Sequence, residues 1–389
     1  MIFYFWFALF CVGVTWLAYV YAGYPLFLWV SGLWRKFEPR FAGAYLPKVS
    51  VLISARNEEK DIEWKVRETL SWNYPAEQLE LIVASDASVD RTDEILQSIH
   101  DRRLRYVRME SRVGKNEALN RLAKIATGEL LLFSDANSHI GKDCLSSMVR
   151  HFSDPRVGCV TGTEHTQPEG EELAVGSGTR AYLDYEFGVT RLESRVGSVI
   201  VCDGSLFAIR RSLFHTLHPD LANDLELPFW IGSQGYGLLC DPSAWALEKA
   251  MRSPREEFNR KKRICGQGAL GFWRLRHCLR GFRGWQFVSR KVLRWLSLIP
   301  MAMILAATMM LARSPFFALL VALQAVFYIL AFGGWMLNLR DQQGGPLLTM
   351  PFYFMLVNLA AIIGVFQACT GRRFAVWEVA VLSRGRQNA

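Results

Sequence analysis

The sequence predicts an α/β protein: a cytosolic domain with a mostly parallel central sheet, flanked by transmembrane α-helices. Three observations point there. Short β-rich runs alternate with helical ones through the middle of the chain, uncharged apolar stretches occupy both ends, and positive charge gathers where the middle meets the second apolar stretch. Apolar residues make up 51% of the 389 and charged residues 21%, which excludes disorder. Eight cysteines are scattered with no C-x-x-C pair. That excludes a small disulfide scaffold and fits reduced thiols in a cytosolic domain.

Residues 1–34 form the first element, because the first charge is Arg35 and about 20 apolar residues suffice for a helix to cross a bilayer core. A cleaved signal peptide needs a basic n-region and a shorter apolar core; neither is present. Arg35 and Lys36 follow at once, so the positive-inside rule puts the next domain on the cytoplasmic side of the plasma membrane and Met1 outside.

Residues 47–251 are the α/β domain. Strands are expected at 48–54, 79–85, 104–109, 129–134 and 157–162, and helices at 57–72, 89–99 and 114–126. Continuous apolar strands alternating with helices predict a parallel sheet covered on both faces. Residues 252–295 hold thirteen Lys and Arg against Glu256 and Glu257, so most of the net +9 lies here. Basic residues among aromatics can bind nucleic acid. These run straight into an apolar span, so amphipathic helices on anionic lipid are the expectation, with Arg274, Arg276, Arg280, Arg283, Arg290 and Arg294 at the membrane surface. About three spans follow within 296–370, near 296–312, 315–339 and 347–370. Three would leave the tail 371–389 outside, against the preference of Arg372, Arg373, Arg384 and Arg386; a re-entrant or interfacial segment is the alternative.

In parallel sheets ligands bind at the carboxyl ends of the strands, so the candidates are Arg56–Glu58, Asp86 and Asp135–Asn137. A strand-end carboxylate such as Asp86 accepts hydrogen bonds from a nucleobase or ribose; its alternative is an Asx turn with Asp90 as N-cap. Asp135 ends a strongly apolar strand, where a hard divalent cation shared with substrate phosphates offsets the cost of a buried charge. A turn aspartate is the alternative.

The ordered set VSVLISARNEE (49–59), SDASVDRT (85–92), GKNEALN (114–120), SDAN (134–137), DGSLFAIRR (203–211), Asn223-Asp224 and RKKR (260–263) resembles the family 2 glycosyltransferases, inverting enzymes with a Rossmann-like GT-A fold. Their membrane-bound polysaccharide-synthesis members flank this domain with helices. The resemblance implies that Glu58 and Asp86 hold the nucleoside, with Arg56 and Lys115 close by. Asp135 would coordinate Mg²⁺ or Mn²⁺ on the diphosphate, Asp224 would be the general base, and Arg260 and Arg263 would steady the leaving group. The usual D-x-D reads Asp135-Ala136-Asn137, so one ligand is an uncharged carbonyl, and the tryptophan that follows the terminal arginine motif in processive synthases is replaced by Ile264.

Glu164 is expected to face the acceptor. Asp203 either positions the acceptor, with Gly204 allowing close backbone approach, or makes a turn; Asp224 is alternatively an N-cap. His139 and His165 lack a second ligand at metal spacing and are expected to be hydrogen-bonded histidines. The implied reaction moves a sugar from a nucleotide-diphosphate sugar to a hydroxyl of a lipid-linked or growing saccharide, in exopolysaccharide assembly, at a membrane of anionic lipids and without nucleic acid. The competing readings are a processive synthase, a polyprenyl-phosphate sugar synthase and a catalytically silent nucleotide-sugar-binding protein. A transporter is disfavoured because no span carries a charge.

Overall fold

The computed structural model describes residues 1–371 apart from 42, 44, 168–173, 250–252, 341 and 343; the arginines of the basic tail lie outside them. Among the described residues an eight-stranded sheet runs β3-β2-β1-β4-β7-β6-β8-β5. The strands are β1 (Val49–Ala55), β2 (Leu79–Ser85), β3 (Leu104–Arg108), β4 (Leu130–Asp135), β5 (His139–Ile140), β6 (Val157–Gln167), β7 (Leu206–Arg210) and β8 (Gly237–Lys249). β1 to β4 are mutually parallel, as expected. β7 enters antiparallel between β4 and β6, and β8 pairs parallel with β6.

The alternation of side chains along a strand explains why these strands read as continuous apolar runs. Val49, Val51 and Ile53 pack with Ile62 and Val66 of the helix Ile62–Leu70 on one face. Leu52, Ile82 and Phe133 pack with Leu119 and Leu122 of the helix Lys115–Ile125 on the other. Both faces are buried. Register then fixes the working edge: Ala55 pairs with Ser85 and Ser54 with Asp135, so Arg56, Asp86 and Asp135 emerge side by side. The antiparallel β7 pairs Leu206 with Ser134 and so brings the preceding Asp203-Gly204 to the same edge.

Among the described residues three helices are long and apolar enough to cross a membrane: Ile2–Trp34, Pro315–Leu339 and Pro346–Cys369. The helix within the stretch 296–312 is Leu298–Met310, 13 residues, or roughly 20 Å against a core of about 30 Å. It forms a pair with Gly281–Trp295 bent by 57°, the geometry of one broken span or of a re-entrant segment. Pro300 accounts for the break, since its ring opposes the carbonyl of residue 296 and it lacks an N–H.

The expectation of a wholly interfacial arginine run is also corrected. Arg276 and Arg280 are exposed, but Arg274 makes a bidentate pair with Asp220 at 2.5 and 2.7 Å. Arg283 donates to the Tyr236 carbonyl at 2.9 Å. Arg290 is buried on Glu193 at 2.5 Å and Glu186 at 3.1 Å, and Arg294 pairs with Glu186. The partners of Arg290 and Arg294 come from the helix Ala174–Arg195, about a hundred residues earlier, so the run alone does not display them.

Glu193 also accepts from the Tyr24 hydroxyl at 2.5 Å, which ties the first apolar helix to the α/β domain through one buried carboxylate. Breaking a buried pair leaves an uncompensated charge, at a cost of about 3–5 kcal/mol. Arg290→Ala is therefore expected to lose stability on that scale in detergent unfolding. The double variant Arg290→Met with Glu193→Gln should recover most of it. A loss below about 1 kcal/mol in the single variant would contradict the role given to this contact.

Candidate active site

The β1 and β2 loops interlock to form the first wall. Arg56 Nη1 donates to the Asp86 carbonyl at 2.6 Å, Asn57 N donates to Ser88 Oγ at 3.1 Å, and Val89 N donates to Asn57 Oδ1 at 2.9 Å. Ala87 is held at φ +50°, a left-handed conformation that a Cβ disfavours and that persists only where surroundings impose it. Glu58 is buried, and its backbone N–H donates to Thr92 Oγ1 at 2.8 Å. Asp90 makes the local turn, accepting from Thr92 N at 3.0 Å. Asp86 instead reaches across. Its two oxygens accept from Val113 N at 2.7 Å and Gly114 N at 3.0 Å, which pins the loop that carries Lys115. A small pocket lined by Arg56, Asp86, Arg112, Gly114 and Lys115 opens there.

Lys115 Nζ lies 2.6 Å from Asp135 Oδ1. Burial alone would lower the Lys115 ammonium, but the Asp135 charge and bond hold it above its ordinary value. Asp224 is not a cap. Its helix Asn223–Ser233 is capped by Ala222, and Asp224 is the second residue. Its carboxyl lies against Gly204: a Cβ there would sit 3.4 Å from Asp224 Oδ2. That is ordinary contact distance, so a side chain at 204 would meet the carboxylate without a clash. Burial raises the Asp224 carboxyl, with the Lys115 charge opposing and the Asp135 charge adding to the rise.

Asp203 makes the turn, with Oδ1 accepting from Ser205 N at 2.9 Å and Ser205 Oγ at 2.7 Å. Its Oδ2 is buried without a partner. Burial first, and the Glu164 charge second, push this carboxyl up to about 7. Glu164 is bound to Arg260 at 3.0 Å, and Glu248 stands 3.5 Å from the same guanidinium. Arg260 is therefore engaged by carboxylates. Arg263, one helical turn on in the helix Pro254–Arg274, is lowered by burial and by Arg260 while Asp224 and Asp135 oppose.

Two participants carry no motif. Glu248 is raised by burial and by Glu164. Lys65, fully buried under the Asp135 turn, donates to the Ser138 carbonyl at 2.6 Å and is drawn down to about 8 by burial. A lysine at an inward position of an amphipathic helix was the one available signal. His139 pairs with Glu68 at 3.3 Å and His165 with Thr163 at 3.2 Å, in keeping with hydrogen-bonded histidines. The His215, His218 and Glu226 side chains gather within 4.8 Å, and Glu226 also accepts from the His218 backbone N–H at 3.0 Å.

The donor set fits a divalent cation on one observation. Among the described residues Asp135, Glu164, Asp203, Asp224 and Glu248 outnumber Lys65, Lys115, Arg260 and Arg263, and an Asp203 oxygen is buried without a partner. Asp135 and the Asn137 carbonyl offer hard oxygens at the strand end.

Such a cleft at the carboxyl edge of a mostly parallel α/β sheet, with strand-end carboxylates and a separate half-buried aspartate, is that of the GT-A class. Residues 50–217 match Glycosyl transferase family 2, and the domain that carries the cleft belongs to that family. A probable glycosyltransferase, YdaM, from Bacillus subtilis is 27% identical over 52% of this chain and 51% of its own length. The beta-monoglucosyldiacylglycerol synthase of Trichormus variabilis is 25% identical over 53% and 45%. The poly-beta-1,6-N-acetyl-D-glucosamine synthase of Staphylococcus epidermidis is 28% identical over 49% of each. The chain thus spans about half the length of the curated relatives it matches. The mannosyltransferase PcManGT from Pyrobaculum calidifontis, solved with GDP-Man and Mn²⁺, shares the fold: the TM-score is 0.69 at 23% identity, covering 91% of this chain and 99% of that one.

The raised Asp203 carboxyl has a consequence for stability. A carboxyl raised on folding binds more protons in the native than in the unfolded state between its unfolded value near 4 and about 7, so stability falls as pH rises through that window. In metal-free protein Asp203→Asn is expected to flatten the fall in Tm between pH 5 and pH 8. An unchanged slope would remove Asp203 from the electrostatic account.

Proposed function

We propose that the protein is a membrane-associated inverting glycosyltransferase that transfers a sugar from a nucleotide-diphosphate sugar to a hydroxyl of a lipid-linked or growing saccharide. The observation that carries this is the strand register, which sets Arg56, Asp86 and Asp135 side by side, with Asp224 facing them across Gly204. The names of the relatives support a saccharide-forming activity with lipid among the acceptors, and the bound state of the structural relative supports a nucleotide sugar and a divalent metal.

In this reading the nucleoside lies in the pocket of Arg56, Glu58, Asp86 and Lys115, and the diphosphate passes over Asp135 and Asn137. Asp135 and Asn137 would hold a divalent cation there, which would supply charge neutralisation for the departing diphosphate. Arg263 adds a fixed positive charge for the same oxygens, and Arg260, held by Glu164 and Glu248, keeps Arg263 correctly placed in its helix. Asp224 takes the proton from the acceptor hydroxyl as that oxygen attacks the anomeric carbon from the face opposite the diphosphate. Burial raises its carboxyl, which makes it a stronger proton acceptor when ionised, and the Lys115 charge opposes that rise. Asp203 and Gly204 form the floor under that carboxylate. Exopolysaccharide assembly is the pathway most in keeping with a cytosolic donor, a membrane-associated catalyst and these relatives.

Two measurements check this. Asp224→Asn preserves shape and removes proton acceptance, so turnover should fall about 10²–10⁴-fold while nucleotide-sugar affinity stays within a few-fold. Near-normal turnover would overturn the base assignment. EDTA should abolish transfer, with Mg²⁺ or Mn²⁺ restoring it, and Asp135→Asn should lose more activity than Asn137→Ala. Full turnover in EDTA would exclude the metal. Product length separates single transfer from processive synthesis.

A further inference from the structure

A cavity of about 370 Å³ lies between the catalytic domain and the apolar helices, and Asp224 forms part of its wall. That volume is within the ordinary range for ligand sites. Tyr21 of the first apolar helix and Met350, Tyr353 and Phe354 of the last close its membrane side. Lys261, Lys291 and Arg294 line it too, so three cations face one apolar space.

The cations there share few bonded partners. Among the described residues Glu186 serves Arg290 at 3.1 Å, Lys291 at 3.3 Å and Arg294, while Glu193 is taken up by Arg290 and Tyr24. Glu257 stands 3.6 Å from Lys261, beyond hydrogen-bonding distance, and that same Glu257 oxygen accepts from the Tyr353 hydroxyl at 2.8 Å. The Lys261 ammonium rests 4.0 Å over the Tyr182 ring. With Asp224 in the wall, Glu186, Glu193, Glu257 and Asp224 match Lys261, Arg290, Lys291 and Arg294 in number, but Glu186 is divided among three of the cations. Cations so thinly shared beside apolar walls are stabilised by a further anion.

We propose that this cavity binds the phosphate of a lipid acceptor, with Lys261 and Lys291 on the phosphate, the first segment of the apolar tail between Tyr21 and Tyr353–Phe354, and the acceptor hydroxyl presented to Asp224. The inference rests on the transferase reading and names its acceptor class. Lys261 over the Tyr182 ring and Lys291 beside Glu186 suit a phosphate, since Lys acts as a point charge that adjusts to it. The apolar walls belong to membrane helices, so the tail enters from the bilayer rather than from water. The hydroxyl and the phosphate are then held by one chamber, and the donor by another, with Asp224 between them.

The test is equilibrium binding to the purified full-length protein in neutral detergent, using farnesyl phosphate, farnesol, dilauroyl phosphatidic acid and dilauroylglycerol as probes. The phosphate form of each pair is expected to bind at least tenfold more tightly than its alcohol. That preference should collapse in Lys261→Gln with Lys291→Gln and survive in Lys261→Arg, while nucleoside diphosphate affinity stays within twofold. These probes report the phosphate and tail alone, because the hydroxyl that Asp224 meets lies on the sugar or headgroup beyond the phosphate. Tighter farnesyl phosphate assigns the tail to a polyprenyl chain, tighter phosphatidic acid assigns it to a diacylglycerol, and both support a lipid-phosphate site. Equal affinity for phosphate and alcohol in the unaltered protein would overturn it, and that comparison stands even if the double variant does not fold. Lipid binding needs no turnover, so a protein that binds the phosphate lipids but transfers no sugar would refute the transferase reading and leave this site intact.

Discussion

The 2.6 Å contact between Lys115 and Asp135 is the joint on which the rest of the cleft turns. It links the loop that Asp86 pins to the end of β4, and its ammonium acts on Asp224 as well. The surrounding carboxylates sit close enough to raise one another, as Asp203 and Glu248 do. The crowded carboxylates hold together because Lys65, Lys115, Arg260 and Arg263 are placed among them and because Asp203 can keep a proton. The same crowding prepares the cleft for cations and for the diphosphate that such cations carry.

The rear of the catalytic domain carries the opposite arrangement. There the arginines and lysines of residues 290–294 exceed the glutamates of the helix Ala174–Arg195. Asp224 lies between a negative chamber and a positive one. In the proposed reaction this polarity sorts the substrates: metal and diphosphate on the sheet edge, an anionic lipid head on the membrane side. The Tyr24–Glu193–Arg290 cluster fastens the first apolar helix to this frame, so the membrane attachment and the acceptor chamber share their supports.

Much of this was legible in the sequence because parallel strands buried on both faces must read as continuous apolar runs, and because register places whatever follows them on one edge. Arg56, Asp86 and Asp135 were found that way. Glu248 was not, because β8 breaks its apolar pattern at Asp241-Pro242-Ser243 and joins the sheet through parallel pairing with β6 and a short antiparallel pairing with β5. Lys65 carries no motif, and its burial follows from packing beneath the Ser138 turn. The arginines at 283, 290 and 294 resemble a lipid-facing run because charge next to aromatics has the same pattern whether its partner is a phospholipid or a distant glutamate. Only the fold brings Glu186 and Glu193 to them. The break at Pro300 is visible in the sequence, yet a hydropathy average over that stretch smooths it away.

The central claim is that one carboxylate, Asp224, activates the acceptor for a single displacement, with no covalent intermediate on the enzyme. The most direct measurement is the anomeric configuration of the first product, read from its proton coupling constant by NMR after transfer from an α-linked nucleotide sugar. The account predicts inversion, a β-linked product from the α-linked donor. Retention of configuration would contradict it, because it requires a second displacement that this arrangement of Asp224 over Gly204 does not provide.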